Sequence, residues 1–104
     1  MKEQNEQVAA DQSYYLIRTY SAGVHFGQIK SRNGKEVTLV NTRRIWYWSG
    51  AATLSQMALS GVSKPENCKF SVMLPEIILT EAIEIIPCSV AAQENILGVK
   101  EWKM

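Results

Sequence analysis

Hydrophobic and polar residues alternate along most of the chain after residue 13, in the pattern that is typical of strands. Aromatic and β-branched side chains, which favour strands, are concentrated in the same segments. The predicted strands are Tyr14–Tyr20, Val24–Lys30, Glu36–Val40, Arg43–Trp48, Cys68–Leu74 and Ala82–Ile86. The fourth is either a separate strand or the third continued past a bend or bulge at Asn41-Thr42. We expect Pro75 to end the fifth strand, a short apolar run to follow at Glu76–Thr80, and the last strand to be buried.

The dipeptide Asn33-Gly34 lies between the second and third predicted strands. It favours a two-residue type I′ turn, because both central residues of that turn need a positive φ angle. The sequence therefore predicts a β-hairpin here. A separate turn is expected at Ser21–Gly23, between the first two strands.

Two segments have the residue pattern of short helices. In Ala51–Ser60, apolar residues recur at helical spacing, with Ser49 as the predicted N-cap and Gly61 as the residue that ends the helix. Val90–Leu97 is the second, capped by the serine before it and ended by the glycine after it. Trp102 indicates that the C-terminus docks on the domain.

The order of these elements predicts an α+β domain over residues 14–104. We expect a small antiparallel sheet, or a partly open barrel, of five to six strands, with one central helix and a short C-terminal helix. Residues 1–13 are polar and lack strong apolar periodicity, so we interpret them as a flexible N-terminal arm.

Composition and charge narrow the function classes. The chain has 104 residues and a net charge of +1, which argues against a protein that coats duplex DNA. Residues 14–50 nevertheless contain six basic residues, including all four arginines, and one acidic residue, so a small anionic ligand stays possible. No apolar run is long enough to cross a membrane and the N-terminus has no signal core, which indicates a cytoplasmic protein without a membrane partner.

The residues that usually carry catalysis or bind metals are scarce. His25 is the sole histidine, and Cys68 and Cys88 are too isolated for a zinc site. We expect both cysteines to be reduced and packed as small apolar residues. No acid–base pair, phosphate loop or nucleophile motif is present, so we expect no enzyme, no metal and no cofactor.

The segment that could carry function is TRRIWYWSGAATLSQ, residues 42–56. In an extended strand Arg44, Trp46 and Trp48 share one face, and Arg43 lies on the other. Indole rings stack on nucleobases and an arginine pairs with phosphate, so this face has the composition of a site for a nucleotide-like ligand.

The strand is followed at once by the start of the predicted helix, where free backbone N–H groups favour an anion. Its small residues would let a ligand approach closely. The candidate ligand-binding residues are Arg43, Arg44, Trp46, Trp48, Ser49, Gly50, Ala51, Thr53 and Gln56.

Structural interpretations of the same residues stay open. Tryptophans on a central strand commonly belong to the core, and neighbouring arginines stack on aromatic rims or pair with a carboxylate such as Glu84. Trp46 or Trp48 could instead lie in a homo-oligomer interface, where Trp and Arg are enriched. A lone histidine such as His25 is more often structural than catalytic.

The run Arg43–Gln56 resembles a family of small, uncharacterised proteins from tailed phages and prophages. The resemblance covers roughly Tyr14–Cys88, with further matching stretches at Lys64–Phe70 and Glu81–Cys88. It implies a phage accessory protein in the host bacterial cytoplasm. Small phage proteins of this size often counter host defence, some by sequestering nucleotide signals in oligomeric cages.

Three functional hypotheses follow. The first is a non-enzymatic homo-oligomer that binds and sequesters a small anionic, nucleotide-like ligand, such as a host-defence signal. The second is a protein–protein inhibitor or adaptor that grips a host protein with the same Arg/Trp face. A weaker third is single-stranded nucleic-acid binding through a sheet face.

Overall fold

The computed structural model describes residues 13–103. The predicted N-terminal arm, residues 1–13, therefore lies outside the described residues except for Ser13. Along the chain the elements are β1 (Tyr14–Thr19), β2 (Val24–Asn33), β3 (Glu36–Tyr47), α1 (Leu54–Ser60), a 3₁₀ turn (Pro65–Asn67), β4 (Lys69–Phe70), β5 (Leu74–Leu79), β6 (Ala82–Pro87) and α2 (Val90–Leu97).

The six strands form one antiparallel sheet in the order β4-β3-β2-β1-β6, with β5 paired to β3 beside β4. The long β3 pairs through its first half with β5, from Val37↔Leu79 to Thr42↔Leu74, and through its end with β4. The α+β prediction with a central and a C-terminal helix is confirmed, and the sheet is open and not closed into a barrel.

The sheet is strongly curled. Lys35, at the tip of the β2–β3 hairpin, accepts a hydrogen bond of 3.0 Å from the backbone N–H of Ala82 at the start of β6. In a flat sheet three strand spacings, about 14 Å, would separate β3 from β6. The sheet therefore bends until these two ends meet, and it has a concave and a convex face.

Each face of the sheet has its own cluster of buried residues. The neighbours Leu16 and Ile17 point to opposite faces of β1 and both are 0% exposed. The convex-side cluster packs the sheet against α1 and α2, and the concave-side cluster lies inside the curl. The buried residues of the convex side include Leu16, Phe26, Ile45, Met57, Phe70, Ala92 and Ile96, and those of the concave side are Ile17, Val37, Leu39, Leu79 and Ala82.

A bulge at Asn41-Thr42 exchanges the two faces of β3. These two residues lie opposite the single Gly27, between the pairs Gln28↔Val40 and Phe26↔Arg43, and Asn41 has a φ of 50°. Val37 and Leu39 therefore face the concave side before the bulge, whereas Arg43 and Ile45 face the convex side after it. The strand continues through this bend, as the second of the two sequence interpretations expected.

The predicted hairpin is confirmed, but its turn differs. Asn33 pairs with Glu36, so the two loop residues are Gly34 and Lys35 instead of Asn33 and Gly34. Only Gly34, with a φ of 62°, has the positive angle. A positive φ at the first loop position alone is the pattern of a type II′ turn, which also suits strand twist.

Two strand predictions were wrong in extent or burial. The strand predicted at Cys68–Leu74 is reduced to Lys69–Phe70, and a separate strand, β5, begins at Leu74 and runs through Pro75. A proline is tolerated there because β5 is an edge strand. The last strand, β6, is also an edge strand and is largely exposed instead of buried.

The second helix and the cysteines agree with prediction. The Ser89 side chain caps α2 by accepting a hydrogen bond of 3.0 Å from the N–H of Ala92. Cys68 and Cys88 are free thiols buried in the convex-side core, and burial raises the pKa of the Cys88 thiol to about 11.

Candidate functional site

Arg44 and Trp46 lie side by side on the exposed end of β3. Trp46 is 67% exposed, so the interpretation of this tryptophan as a core residue is wrong. Within the part of the chain that the structure describes, the Arg44 guanidinium has no hydrogen bond or salt bridge, although the Arg44 backbone N–H donates to Ser71 Oγ. The Arg44 guanidinium, without a partner in the described residues, therefore lies beside the exposed Trp46 ring.

Arg43 is a structural residue, which corrects its prediction as a ligand contact. Its side chain is on the convex face and the residue is 4% exposed. Nε donates to the Ser71 carbonyl at 2.9 Å and Nη1 to the Ile96 carbonyl at 2.8 Å, while the guanidinium lies 5.4 Å from the Phe70 ring centroid. Burial lowers the pKa of Arg43. Arg43 thus ties the end of α2 to the sheet and does not reach the concave face.

Trp48 does not share a face with Trp46. The strand ends at Tyr47, and Trp48 turns inward, half-buried against the convex-side core. Its indole Nε1 donates to the Ala51 carbonyl at 3.2 Å. The predicted three-residue platform is therefore reduced to Arg44 and Trp46, because the regular alternation stops where the strand stops.

The start of the central helix differs from the predicted one. The helix begins at Leu54 and its N-cap is Thr53, not Ser49. Thr53 Oγ1 accepts from the N–H of Gln56 at 3.1 Å, and Gln56 Oε1 accepts from the N–H of Ala52 at 2.9 Å. The arrangement resembles a capping box, except that Gln56 accepts from the residue before the N-cap. It engages the Thr53 and Gln56 side chains and the Ala52 N–H, which the prediction assigned to a ligand.

The remaining predicted residues of this loop also have partners within the protein. The Ser49 N–H contacts the Cys68 sulfur at 3.4 Å, and the Gly50 carbonyl accepts a hydrogen bond of 3.2 Å from the N–H of Ser63. Ala51 is the partner of the Trp48 indole. The loop is therefore held in place by hydrogen bonds within the protein.

A pocket of about 190 Å³ opens beside Arg44 and Trp46, between β2, β3 and the segment that leads into β5. It lies on the concave side because the bulge turns Thr42, Arg44 and Trp46 to that face. A shallower depression of about 260 Å³ adjoins it on the turn after β1 and shares Arg44 and Trp46. The residues that line the pocket are His25, Thr42, Arg44, Trp46, Ser71, Val72, Leu74 and Ile77.

His25 forms part of the pocket wall and is 1% exposed. Its Nε2 lies 3.0 Å from the Ala22 carbonyl, so Nε2–H is the donor and the neutral ring leaves Nδ1 as an acceptor. Burial lowers the pKa of His25, and the nearby Arg44 charge lowers it further against the opposing effect of the Ala22 bond. The pocket therefore has a neutral histidine at physiological pH.

Thr42 is the polar residue of the pocket that the sequence did not single out for a site. It is 1% exposed, and its Oγ1 has no hydrogen-bond partner within the described residues. An unpaired buried hydroxyl is costly, which makes it a feature that needs a reason. The sequence signal is indirect, because the pattern predicts Thr42 only as part of a bend.

The comparison with protein families covers most of the chain. The model of the family described as Domain of unknown function (DUF6948) matches residues 12–96. The chain belongs to this family. The expectation of an uncharacterised family is thereby confirmed, and the match includes all lining residues of the pocket. No curated protein and no solved structure matches this DUF6948 protein significantly.

The DUF6948 match ends before Trp102, which nevertheless borders the site. The Trp46 and Trp102 ring centroids are 5.9 Å apart, and Lys69 Nζ lies 5.1 Å from the Trp102 ring centroid. The N–H of Trp102 donates to the Phe70 carbonyl at 2.9 Å, which confirms that the C-terminal segment docks.

Two further features bear on the chemistry of this DUF6948 protein. Across residues 13–103, histidine, cysteine and acidic side chains form no cluster of three or more that could hold a metal ion. In the same range, no helix has the length and apolarity needed to span a membrane.

Proposed function

We propose that this DUF6948 protein binds and sequesters a small anionic ligand that carries a planar, nucleotide-like ring, without transforming it. The observation that supports this most is the Arg44 guanidinium, which has no partner among residues 13–103, beside the exposed Trp46, with both residues at the mouth of a pocket. The family resemblance supports a phage accessory protein in the bacterial cytoplasm, where such a ligand would be a host-defence signal.

Each of the two residues contributes a different interaction. Arg44 pairs with a carboxylate or phosphate through parallel N–H groups. Trp46 stacks on a planar ring, which is worth roughly 1–3 kcal/mol when the ring is a nucleobase. A ligand that contacts both residues in these ways needs an anionic group and a planar ring.

The size of the pocket favours a shared site. Pockets for drug-sized ligands have volumes of roughly 300–1,000 Å³, larger than the 190 Å³ found here. A dinucleotide would extend over the adjoining depression and leave much of its surface in solvent. A second copy of the chain would cover that part, so sequestration of a large signal involves a homo-oligomer.

Isothermal titration calorimetry tests the proposal directly. The panel contains cyclic dinucleotides, ADP-ribose, UMP, AMP and simple aryl anions, titrated into the wild type, Arg44→Gln, Trp46→Ala and Arg32→Gln. We expect at least one ligand to bind with a Kd below about 100 μM, and Arg44→Gln and Trp46→Ala to weaken it at least tenfold.

Arg32→Gln is the matched control, because Arg32 is an exposed arginine on the distant hairpin. Its affinity should equal that of the wild type. Absence of binding across the panel, or equal losses in Arg32→Gln and Arg44→Gln, would reject the proposal.

A second candidate function, an inhibitor or adaptor of a host protein, is favoured by the exposed aromatic group around the site. Trp46 and Trp102 are in contact, and Tyr47 is 53% exposed. Aromatic side chains with an arginine are typical of interface hot spots. A pull-down from bacterial lysate distinguishes the two functions, since an adaptor recovers a stoichiometric protein that Trp46→Ala and Trp102→Ala both lose.

A further inference from the structure

Trp46 has a second exposed tryptophan as its neighbour. The ring centroids of Trp46 and Trp102 are 5.9 Å apart, and the two rings are tilted by 48°. Trp46 is 67% exposed and Trp102 is 39% exposed, so each indole offers surface to a ligand. Single exposed apolar side chains are ordinary on a protein surface, whereas a contiguous exposed patch indicates a binding site.

Each of the two tryptophans has a basic residue beside it. Arg44 lines the same pocket and the same depression as Trp46. Lys69 Nζ lies 5.1 Å from the Trp102 ring centroid, within the range of a cation–π contact. Lys69 belongs to β4, which pairs with the end of β3 that carries Trp46. The surface therefore has two adjacent aromatic–cation pairs, Arg44 with Trp46 and Lys69 with Trp102.

Lys69 is also free to bind an anion. It is exposed, and among residues 13–103 its ammonium group has no salt bridge and no hydrogen bond. Glu101, the acidic residue next to Trp102, has Lys103 as its partner, with 4.0 Å between Oε2 and Nζ. The Trp102 end of the patch therefore keeps a net positive charge, as the Trp46 end does.

A ring beside a basic residue matches one nucleotide unit. In sites for single-stranded nucleic acids, bases stack on aromatic side chains and basic residues follow the phosphates. A mononucleotide has one base and its phosphate at one end, so Arg44 and Trp46 suffice for it. Two joined units have a second base and a second phosphate, which Trp102 and Lys69 match.

We infer that the site binds a dinucleotide, with the first unit on Trp46 and Arg44 and the second unit on Trp102 and Lys69. This inference rests on the proposed function and narrows its ligand class from a nucleotide to two joined nucleotides. Lys69 and Trp102 then determine specificity, because a mononucleotide held by Arg44 and Trp46 does not use them.

The test is a calorimetric titration of the full chain with AMP, ADP and the 5′-phosphorylated dinucleotide pApA, and with UMP, UDP and pUpU. In the wild type, the dinucleotide of at least one base should bind at least about fivefold more tightly than its mononucleotide, because a second base stacks and a second phosphate pairs. The nucleoside diphosphate should gain less, although it has as many phosphates as the dinucleotide.

Lys69→Gln should weaken the dinucleotide about two- to fivefold, the effect of one exposed ion pair, and leave the mononucleotide unchanged. Lys69→Arg keeps the charge and should bind the dinucleotide as the wild type does. Lys35→Gln is the matched control, because Lys35 is an exposed lysine on the distant hairpin. Arg44→Gln should weaken mononucleotide and dinucleotide alike. Circular dichroism of each variant verifies that it is folded.

Three results would overturn the inference while mononucleotide binding leaves the proposed function intact. The first is a dinucleotide that binds no more tightly than its mononucleotide. The second is a dinucleotide advantage that Lys69→Gln leaves unchanged. The third is an equal loss of mononucleotide and dinucleotide affinity in Lys69→Gln, which would show that Lys69 acts on the first unit. No binding by any of the six compounds counts against both the inference and the proposed function.

Discussion

Thr42 lies directly over Gly27 across the β2–β3 bulge. A Cβ atom added to Gly27 would stand 2.8 Å from the Thr42 Cβ and 3.0 Å from its Oγ1. Real Cβ atoms do not approach other heavy atoms this closely, so the absence of a side chain at residue 27 allows the strand to bend there. The bend turns Thr42, Arg44 and Trp46 toward the concave face and thereby creates the pocket.

Gly27→Ala should destabilise the protein. The added methyl group meets the Thr42 backbone and Cβ, and overpacking of this kind costs about 1–3 kcal/mol. The free energy of unfolding from urea titration measures it. Gly23→Ala serves as a comparison, because a Cβ there meets nothing within 4 Å and only the positive φ of 85° is unfavourable. An unchanged stability of Gly27→Ala would contradict the steric account of the bulge.

Thr42→Val should stabilise the protein by about 1 kcal/mol. The substitution removes a buried hydroxyl that has no partner within residues 13–103 and keeps the β-branched shape that the strand prefers. Thermal and urea unfolding of the isolated protein measure the change, with Thr42→Ser as the variant that retains the hydroxyl. A loss of stability in Thr42→Val would show that the hydroxyl is already satisfied in the free protein.

The same substitution at the two adjacent arginines should change the stability of the protein by very different amounts. Arg43→Gln leaves the Ser71 and Ile96 carbonyls without their charged donor and should cost about 2–4 kcal/mol of unfolding free energy. Arg44→Gln should change it by less than about 0.5 kcal/mol, since its guanidinium is exposed. Equal effects of the two substitutions would contradict the assignment of Arg43 to structure and Arg44 to ligand binding.

Acidification should destabilise the fold through His25. Burial holds the pKa of His25 below its ordinary value of 6.5, so the unfolded chain binds a proton before the folded chain does. The contribution of His25 to the free energy of unfolding is therefore at its maximum above pH 6.5. It falls as the pH drops from 6.5 toward the lowered native pKa, with a slope of at most about 1.4 kcal/mol per pH unit.

Urea titrations between pH 7.5 and 5 measure this slope. His25→Gln removes the titrating group and should flatten the curve in that range. A wild-type curve as flat as that of His25→Gln would contradict the buried, neutral state of His25.

The local features of this fold could be predicted from the sequence. Most of the strand segments, the hairpin around Gly34 and the helix Val90–Leu97 with its serine cap are determined by residues that are close together in the sequence. The conformational preferences of those residues can be read directly from it. Arg44 and Trp46 were placed together on one strand face for the same reason, because residues two apart in a strand point the same way.

The remaining features depend on contacts between distant segments. Strand alternation could not show that Arg43 is drawn inward, because its partners Ser71 and Ile96 are remote in sequence. The central helix is capped by Thr53 and not by Ser49, because the Thr53 hydroxyl accepts from the Gln56 N–H and the Gln56 side chain accepts from the Ala52 N–H. The sequence could not show that Thr42 packs against Gly27, because this contact depends on how the neighbouring strand is positioned.

The proposed site beside Arg44 and Trp46 is tested most directly by a ¹H–¹⁵N NMR titration of the wild type with benzoate and with mononucleotides. Binding at this site predicts saturable shifts, with a Kd below about 100 μM for at least one ligand, for the amides of His25, Thr42 and Arg44 and for the Trp46 indole N–H, and little change at Thr53–Gln56. An unchanged spectrum with every ligand, or shifts confined to the start of the central helix, would contradict ligand binding beside Arg44 and Trp46.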